Sequence, residues 1–219
     1  MSGPGLSPAR IDFTGPVPRS LDYGDIYHSA DGASAQAQHV FLRGNGLPQR
    51  WQGRRHFAIL ETGFGLGHNF LATLAAWQAD PLRCSTLHFV SVEGHPPSRQ
   101  DLSRALELSP HTPQAQALLQ AWPALLKGLH VLTFDAEGRV CLPATGGGSS
   151  PDHADGAPCP GVRLTLALGD ARELLPSLVG PFDAFFLDGF TPTVNPEFWD
   201  PRLLRVVGRL AAPGAMAAT

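Results

Sequence analysis

The apolar positions fall into short runs separated by amphipathic stretches. His56–Leu60 (HFAIL) is a compact apolar run leading into a glycine-dense loop, and from His68 to Gln78 the residues Phe70, Leu71, Leu74 and Trp77 sit at helical spacing. The pattern predicts strand, loop, helix. Thr86–Glu93 (TLHFVSVE) predicts a second strand that ends on an acid. Ser98 caps a helix over Arg99–Leu108, with Asp101 three residues on, and Thr112-Pro113 opens another toward Trp122 with proline at its first helical position. VLTFDAEGRVCL, after His130, predicts a hairpin, and Ala144–Gly161 is expected to be a flexible loop insertion because it lacks both periodicity and apolar residues. Alternation resumes at Val162–Leu168 and ends at Gly169-Asp170, followed by a short helix over Ala171–Leu178. Phe182–Leu187 (FDAFFL) predicts an apolar strand ending in Asp188, Pro201–Leu210 an amphipathic helix, Pro213-Gly214 a turn, and Ala215–Thr219 the start of a fifth strand.

The stretch before Gly53 is rich in Gly, Pro, Ser and Asp, with no sustained helical period. It is expected to be an irregular N-terminal arm, residues 1–53, belonging to the same domain as residues 54–219, with His39–Leu42 (HVFL) as its best strand. Strands alternating with helices predict an α/β fold with a mainly parallel sheet, helices on both faces, and ligands at the carboxyl ends of the strands.

Composition narrows the function classes. A chain of 219 residues is long enough for one sizeable core. It contains no apolar run near the ~18 residues of a membrane helix and no apolar stretch behind the N-terminal Met-Ser-Gly-Pro, so a cytoplasmic protein is expected. Cys84, Cys141 and Cys159 form no CxxC or Cys/His cluster, which suggests neither a disulfide framework nor a metal site. The net charge of −3 does not advertise nucleic-acid binding. Positive charge is nearly all arginine, with Arg43, Arg50, Arg54 and Arg55 in one cluster and Arg202, Arg205 and Arg209 along the last helix. Either set is more simply a solvated surface than an RNA contact.

Candidate chemistry begins at ILETGFGLGHNF, Ile59–Phe70. A dinucleotide fingerprint needs GxGxxG, but here Gly63, Gly65 and Gly67 alternate, with His68 in the place of the third glycine. A P-loop needs a lysine followed by Ser or Thr, which this loop lacks. What remains, E-x-G-x-G-x-G, resembles the loop of S-adenosylmethionine (SAM) methyltransferases. SAM has no phosphates and calls for close backbone approach plus carboxylates for its ammonium group and hydroxyls. That resemblance implies a Rossmann-like SAM-dependent methyltransferase fold. It puts Glu61 near the amino-acid end of the cofactor beside Gly63, Gly65 and Gly67, Glu93 at the ribose and Asp170 at the adenine amino group.

FFLDGFTPTVNPEFW, Phe185–Trp199, carries a more specific likeness. It resembles the methyltransferase domain of the bacterial MnmC family through Leu187, Asp188, Gly189, Phe190, Pro192, Asn195, Pro196 and Trp199. DIYHS (Asp25–Ser29), VFLRGN (Val40–Asn45), ETGFGLGHNF and HFVSVEGHP extend the likeness over most of Asp25–Thr219. The resemblance implies methyl transfer from SAM to the primary amine of 5-aminomethyl-2-thiouridine at the tRNA wobble position. Asp188 would then face the amine as the catalytic residue, Tyr27 would close over the cofactor, and Phe190 and Pro192 would shape the pocket for the base. It implies tRNA as a partner and an FAD-dependent oxidoreductase domain or protein elsewhere. Pro213-Gly214-Ala215 departs mildly from the family's PGG, and the chain is expected to stop inside the fifth strand of a sheet that the family continues. The rival readings are a SAM-dependent enzyme of a small-molecule amine and a non-catalytic SAM-fold interaction module.

Overall fold

A computed structural model describes residues 5–29, 32–107, 109–141, 161–196 and 198–219. The expected insertion lies outside them, apart from Gly161. The alternating apolar runs form a six-stranded sheet. Its strands are β3 (His56–Thr62), β4 (Thr86–Glu93), β5 (Gly128–Phe134), β6 (Gly161–Leu168), β7 (Phe182–Leu187) and β8 (Ala211–Ala218), in the order β5-β6-β4-β3-β7-β8. All neighbours are parallel except β5 and β6. From β3 the chain goes to β4 on one side and later to β7 on the other, so the carboxyl end of β3 is the switch point where such sheets open a crevice. The arm adds a small hairpin of β1 (Ile11–Asp12) and β2 (Arg19–Ser20).

Two-residue alternation in the strands explains the two cores. Phe57 and Ile59 of β3, Leu87 and Phe89 of β4 and Phe186 of β7 face one side. They pack there with Phe70, Leu71, Leu74 and Trp77 of α2 (His68–Ala79), Leu102 of α3 (Arg99–Leu106) and Leu118 of α4 (Thr112–Ala121). Leu60, Val90 and Phe185 face the other side, against Leu175 after α5 (Ala171–Leu174) and Leu203 and Val207 of α6 (Pro201–Arg209). We number the first helix, Ala33–Gln36, α1. The helix starts follow the sequence signals: the Ser98 Oγ accepts from the Asp101 N–H at 3.1 Å, and Asp170 and Asp200 cap α5 and α6.

Three expectations need correction. His39–Leu42 is not a strand: α1 runs into a wider π turn at Ala37–Leu42, which buries Ala37, Phe41 and Leu42. That burial has helical spacing, and the Ala-rich ASAQAQ before it favours a helix. The hairpin at Val131 keeps its turn, where the Asp135 N–H donates to Arg139 O at 2.9 Å, but among the described residues the returning arm makes a single bridge, Phe134–Val140, with the Cys141 N–H donating to Thr133 O at 2.8 Å. The ladder partner of β5 is instead β6, whose free edge it covers. Pro213-Gly214 does not break the last strand either. β8 runs through it with a register shift, Phe182 facing Ala211 and Ala184 facing Met216, and Gly214 has φ 75°.

The arm packs into the larger core through Trp51, which is fully buried and donates its indole N–H to Asp80 at 2.8 Å. Arg50 reaches the carbonyls of Asp183 and Gly214 at 3.0 and 2.8 Å, and Arg54 pairs with Asp183 at 2.8 Å. These two arginines hold the arm to β7 and β8. Arg202, Arg205 and Arg209 lie exposed on α6.

Candidate active site

A cavity of about 1160 Å³ opens at the carboxyl ends of β3, β4, β6 and β7, roofed by the arm. Each strand delivers one acid there or just beneath. After β3 the backbone turns through Gly63, Gly65 and Gly67, all with positive φ (86°, 53° and 78°). A Cβ on Gly63 would lie 3.1 Å from the Asp188 carbonyl oxygen, so only glycine lets the loop pass the tip of β7. Gly67 begins α2 against the ring of Phe64.

Glu93, at the end of β4, accepts from the Gly65 N–H at 2.9 Å and the His95 N–H at 2.6 Å. It therefore ties the glycine loop to its own strand. Burial raises its pKa against these backbone hydrogen bonds. Asp170, beyond β6, is held by the Arg172 guanidinium at 2.6 Å, a hydrogen bond that keeps its carboxyl below the usual range. Asp188, beyond β7, opens to the cavity yet is enclosed by protein. Its two oxygens accept from Asn69 Nδ2 at 2.8 Å and from the Gly189 N–H at 2.9 Å. Burial pushes its pKa up to about 6, the hydrogen bonds from Asn69 and Gly189 oppose this, and the Glu93 charge adds to the rise.

Glu61 occupies a different position from the other acids. It falls on the α2 side of β3 and is fully buried, accepting from the Ser91 hydroxyl at 2.6 Å and from Asn69 Nδ2 at 3.0 Å. Burial pushes its pKa up to about 8, with those hydrogen bonds opposing and Asp188 adding to the rise. Glu61 is thus mostly protonated near neutrality while Asp188 is mostly ionised. The most deeply enclosed acid gives up its charge, which spares the site a second unpaired one.

Of the residues expected at the site, Tyr27, Gly63, Gly65, Glu93, Asp170, Asp188, Phe190 and Pro192 all line the cavity. Glu61 and Gly67 do not. Glu61 lies one layer below, touching the cavity only through Asn69 and Asp188, and Gly67 serves the start of α2. Tyr27 stands beside Gly65, its ring 3.5 Å from where a Cβ there would be, and packs edge-on to Phe190 at 5.3 Å. Burial raises the pKa of its phenol.

Sequence reasoning passed over several neighbours. Tyr23 stacks on Phe190 at 4.7 Å, and its hydroxyl lies 3.3 Å from His95 Nδ1. Asp25 accepts from the Thr191 N–H at 2.9 Å, and from its hydroxyl, so it straps the arm to the segment after β7. Asn69 bridges two acids. Asp25 and Asn69 both stand inside quoted motifs, but nothing in their local spacing says that Asp25 meets Thr191 or Asn69 meets Asp188, partners 166 and 119 residues away.

The donor set can be tested against an adenosyl cofactor. Glu93 at the second strand tip and Asp170 at the third face the cavity beside a loop that tolerates no Cβ at Gly63, which fits a ligand bearing hydroxyls and amino groups. Among the described residues no group of three or more His, Cys, Asp or Glu is placed to hold a metal ion. Such a parallel sheet, glycine loop and ring of strand-end acids define a Rossmann-like protein of the SAM-dependent methyltransferase class.

Comparison with known proteins makes the class specific. A family model described as S-adenosyl-L-methionine-dependent methyltransferase matches residues 154–219. The chain is 51% identical over 215 residues to the tRNA 5-methylaminomethyl-2-thiouridine biosynthesis bifunctional protein MnmC of Methylibium petroleiphilum, covering 98% of this chain and 29% of that protein. It is 52% identical over 204 residues to the protein of the same name from Cupriavidus necator, covering 93% of this chain and 28% of that protein. Along nearly all of its own length the chain is thus about half identical to proteins named MnmC. It spans less than a third of the length of these curated relatives. The crystal structure of MNMC2 from Aquifex aeolicus matches 99% of this chain and 61% of its own, with a TM-score of 0.68 at 21% identity, which shows the shared fold.

Proposed function

We propose that this chain transfers a methyl group from SAM to the primary amine of 5-aminomethyl-2-thiouridine at the tRNA wobble position. The observation that carries the reading is Asp188: a carboxylate fixed on both oxygens at the strand tip, in the cavity that also holds the glycine loop and Glu93. The names of the half-identical relatives supply the substrate class.

In this reading the bound cofactor supplies an electrophilic methyl group on a sulfonium, whose C–S bond electrons return to sulfur as the new C–N bond forms. The protein's task is positioning. Asp188 accepts a hydrogen bond from the amine and aims its lone pair. As methylation turns the neutral amine into a secondary ammonium, the ionised Asp188 stabilises the charge appearing on nitrogen. Phe190, stacked on Tyr23 and edge-on to Tyr27, forms an aromatic wall of the kind on which an extruded base stacks. Glu93 would hold the ribose beside the glycine loop, and Asp170 the adenine amino group. Asp170, already held by Arg172, would share its carboxylate between the guanidinium and that group. Tyr27 closes over the cofactor, and Pro192 shapes the rim of the base pocket.

A tRNA substrate fits a cytoplasmic protein, and the reading implies an FAD-dependent oxidoreductase, in the same longer protein or another, that supplies the primary amine. No helix among the described residues is long and apolar enough to cross a membrane. The decisive test is incubation with labelled SAM and tRNA carrying the primary amine, against tRNA lacking it and against free small amines. Label appearing only in the amine-bearing tRNA supports the reading. Label in free amines alone would replace it with small-molecule methylation, and no SAM binding at all would leave a non-catalytic module.

A further inference from the structure

Asn69, which holds one oxygen of Asp188, also reaches a second acid. It is buried in the first turn of α2, and its one side-chain nitrogen donates to two carboxylates from two strands: Glu61 at 3.0 Å and Asp188 at 2.8 Å. Its backbone is fixed too, with the Thr73 hydroxyl donating to its carbonyl at 2.7 Å just after the turn at Gly67. A carboxamide nitrogen carries two protons and no charge. Serine or threonine would offer one proton, aspartate would add a third acid, and lysine would neutralise Asp188. Asn69 alone among these lets both acids be held while Asp188 keeps its charge.

Resting on the proposed reaction, we infer that Asn69 is a positioning residue: its carboxamide locks Asp188 against the buried Glu61, so that the carboxylate meets the amine at a fixed angle and in its ionised form. The Gly189 N–H holds the other oxygen of Asp188, which leaves the carboxylate no free rotation about its last bond. The charged and titratable groups bearing on Asp188 are Glu61 beneath it and Glu93 across the loop, both acids. Among these neighbours only neutral donors favour the carboxylate, and Asn69 is the one side-chain donor.

The test uses the full chain with Asn69→Ala, and Asn69→Ser should alanine fail to fold, because one hydroxyl on a short stem cannot serve both acids. Carbon-13 carboxyl NMR follows the titration of Asp188 whether or not the protein turns over. Loss of a donor to the charged form should move its midpoint to higher pH by about half a unit or more. In single-turnover methyl transfer to tRNA bearing the primary amine, the rate at neutral pH should fall about tenfold or more, as expected for a lost hydrogen bond to a charged group. The acid limb of the pH profile should move up in step with the NMR midpoint, while the Kd for SAM stays within about threefold. An unmoved Asp188 midpoint overturns the inference even if the rate falls, since the loss would then be merely structural. A wild-type chain that methylates nothing sinks the proposed reaction instead, and the NMR titration then still decides whether Asn69 controls Asp188.

Discussion

The strand-tip acids differ in what already holds them, and this separates their expected phenotypes. Glu93 lines the cavity and also holds the loop, because Gly65 hangs from its carboxylate. Glu93→Ala should therefore weaken SAM binding at least tenfold in calorimetry, given ~1.5–3 kcal/mol for a hydrogen bond to a charged group. An unchanged Kd would remove Glu93 from the cofactor site. Asp188→Asn keeps an oxygen that can hold the amine but loses the charge. Single-turnover methylation should drop by about 10²-fold with little change in SAM affinity. A rate near wild type would end the electrostatic role, and a parallel collapse in SAM affinity would move Asp188 to the cofactor. The places of both acids at the cavity were legible from the sequence, because each directly ends an apolar run. The burial of Glu61 was legible only in part. Its place in the alternation, two residues beyond Ile59, puts it on the α2 side of the sheet, but the residues that cover it come from β4 and α2.

At the scale of elements, the β3 loop and α2 form one device. The loop passes close to the backbone after β7, and Gly63 is where the two backbones meet. Gly63→Ala would combine a φ of 86° with a Cβ 3.1 Å from the Asp188 carbonyl. Strain of roughly 1–3 kcal/mol should lower the melting temperature by several degrees and weaken SAM binding, both read by calorimetry with and without ligand. An alanine variant with wild-type melting and affinity would mean that the loop relaxes freely. The strands and helices of this region follow closely from their apolar periods: β4 spans Thr86–Glu93 as expected, and α2 begins at His68. The π turn at Ala37–Leu42 was misread because a run of only four residues, HVFL, suits a strand as well as a helix. Its burial against Phe186, and not its local propensity, settles the matter.

Across the whole molecule, the buried acids couple folding to pH. The folded-state pKa values of Asp188 (about 6) and Glu61 (about 8) both lie above their ordinary values, so these two carboxyls bind more protons in the native state than in the unfolded chain, whereas His68, its pKa lowered by burial to about 4, binds fewer below about pH 6.5. Above that pH the histidine is mostly neutral in both states, and stability should fall as pH rises toward the Glu61 value. The melting temperature should decline from about pH 7 to pH 9, and Glu61→Gln, which cannot ionise, should flatten that decline. A variant with the same slope as wild type would show that Glu61 is not the titrating group.

The sequence alone determined the alternation of strands and helices, the glycine loop and the acids at successive strand ends, because each depends on spacing within a few residues. It also carried the family likeness, whose motifs recur in order along the chain. Tertiary structure alone decided that Glu61 lies beneath the cavity, that Asn69 joins it to Asp188, that Asp25 straps the arm to Thr191, and that Arg50 and Arg54 hold the arm to β7. Apart from Asn69 to Glu61, eight residues apart, these contacts span residues far apart in sequence. Hydrogen-bond geometry and loss of water fix them, and both exist only once the sheet has brought the strand ends together.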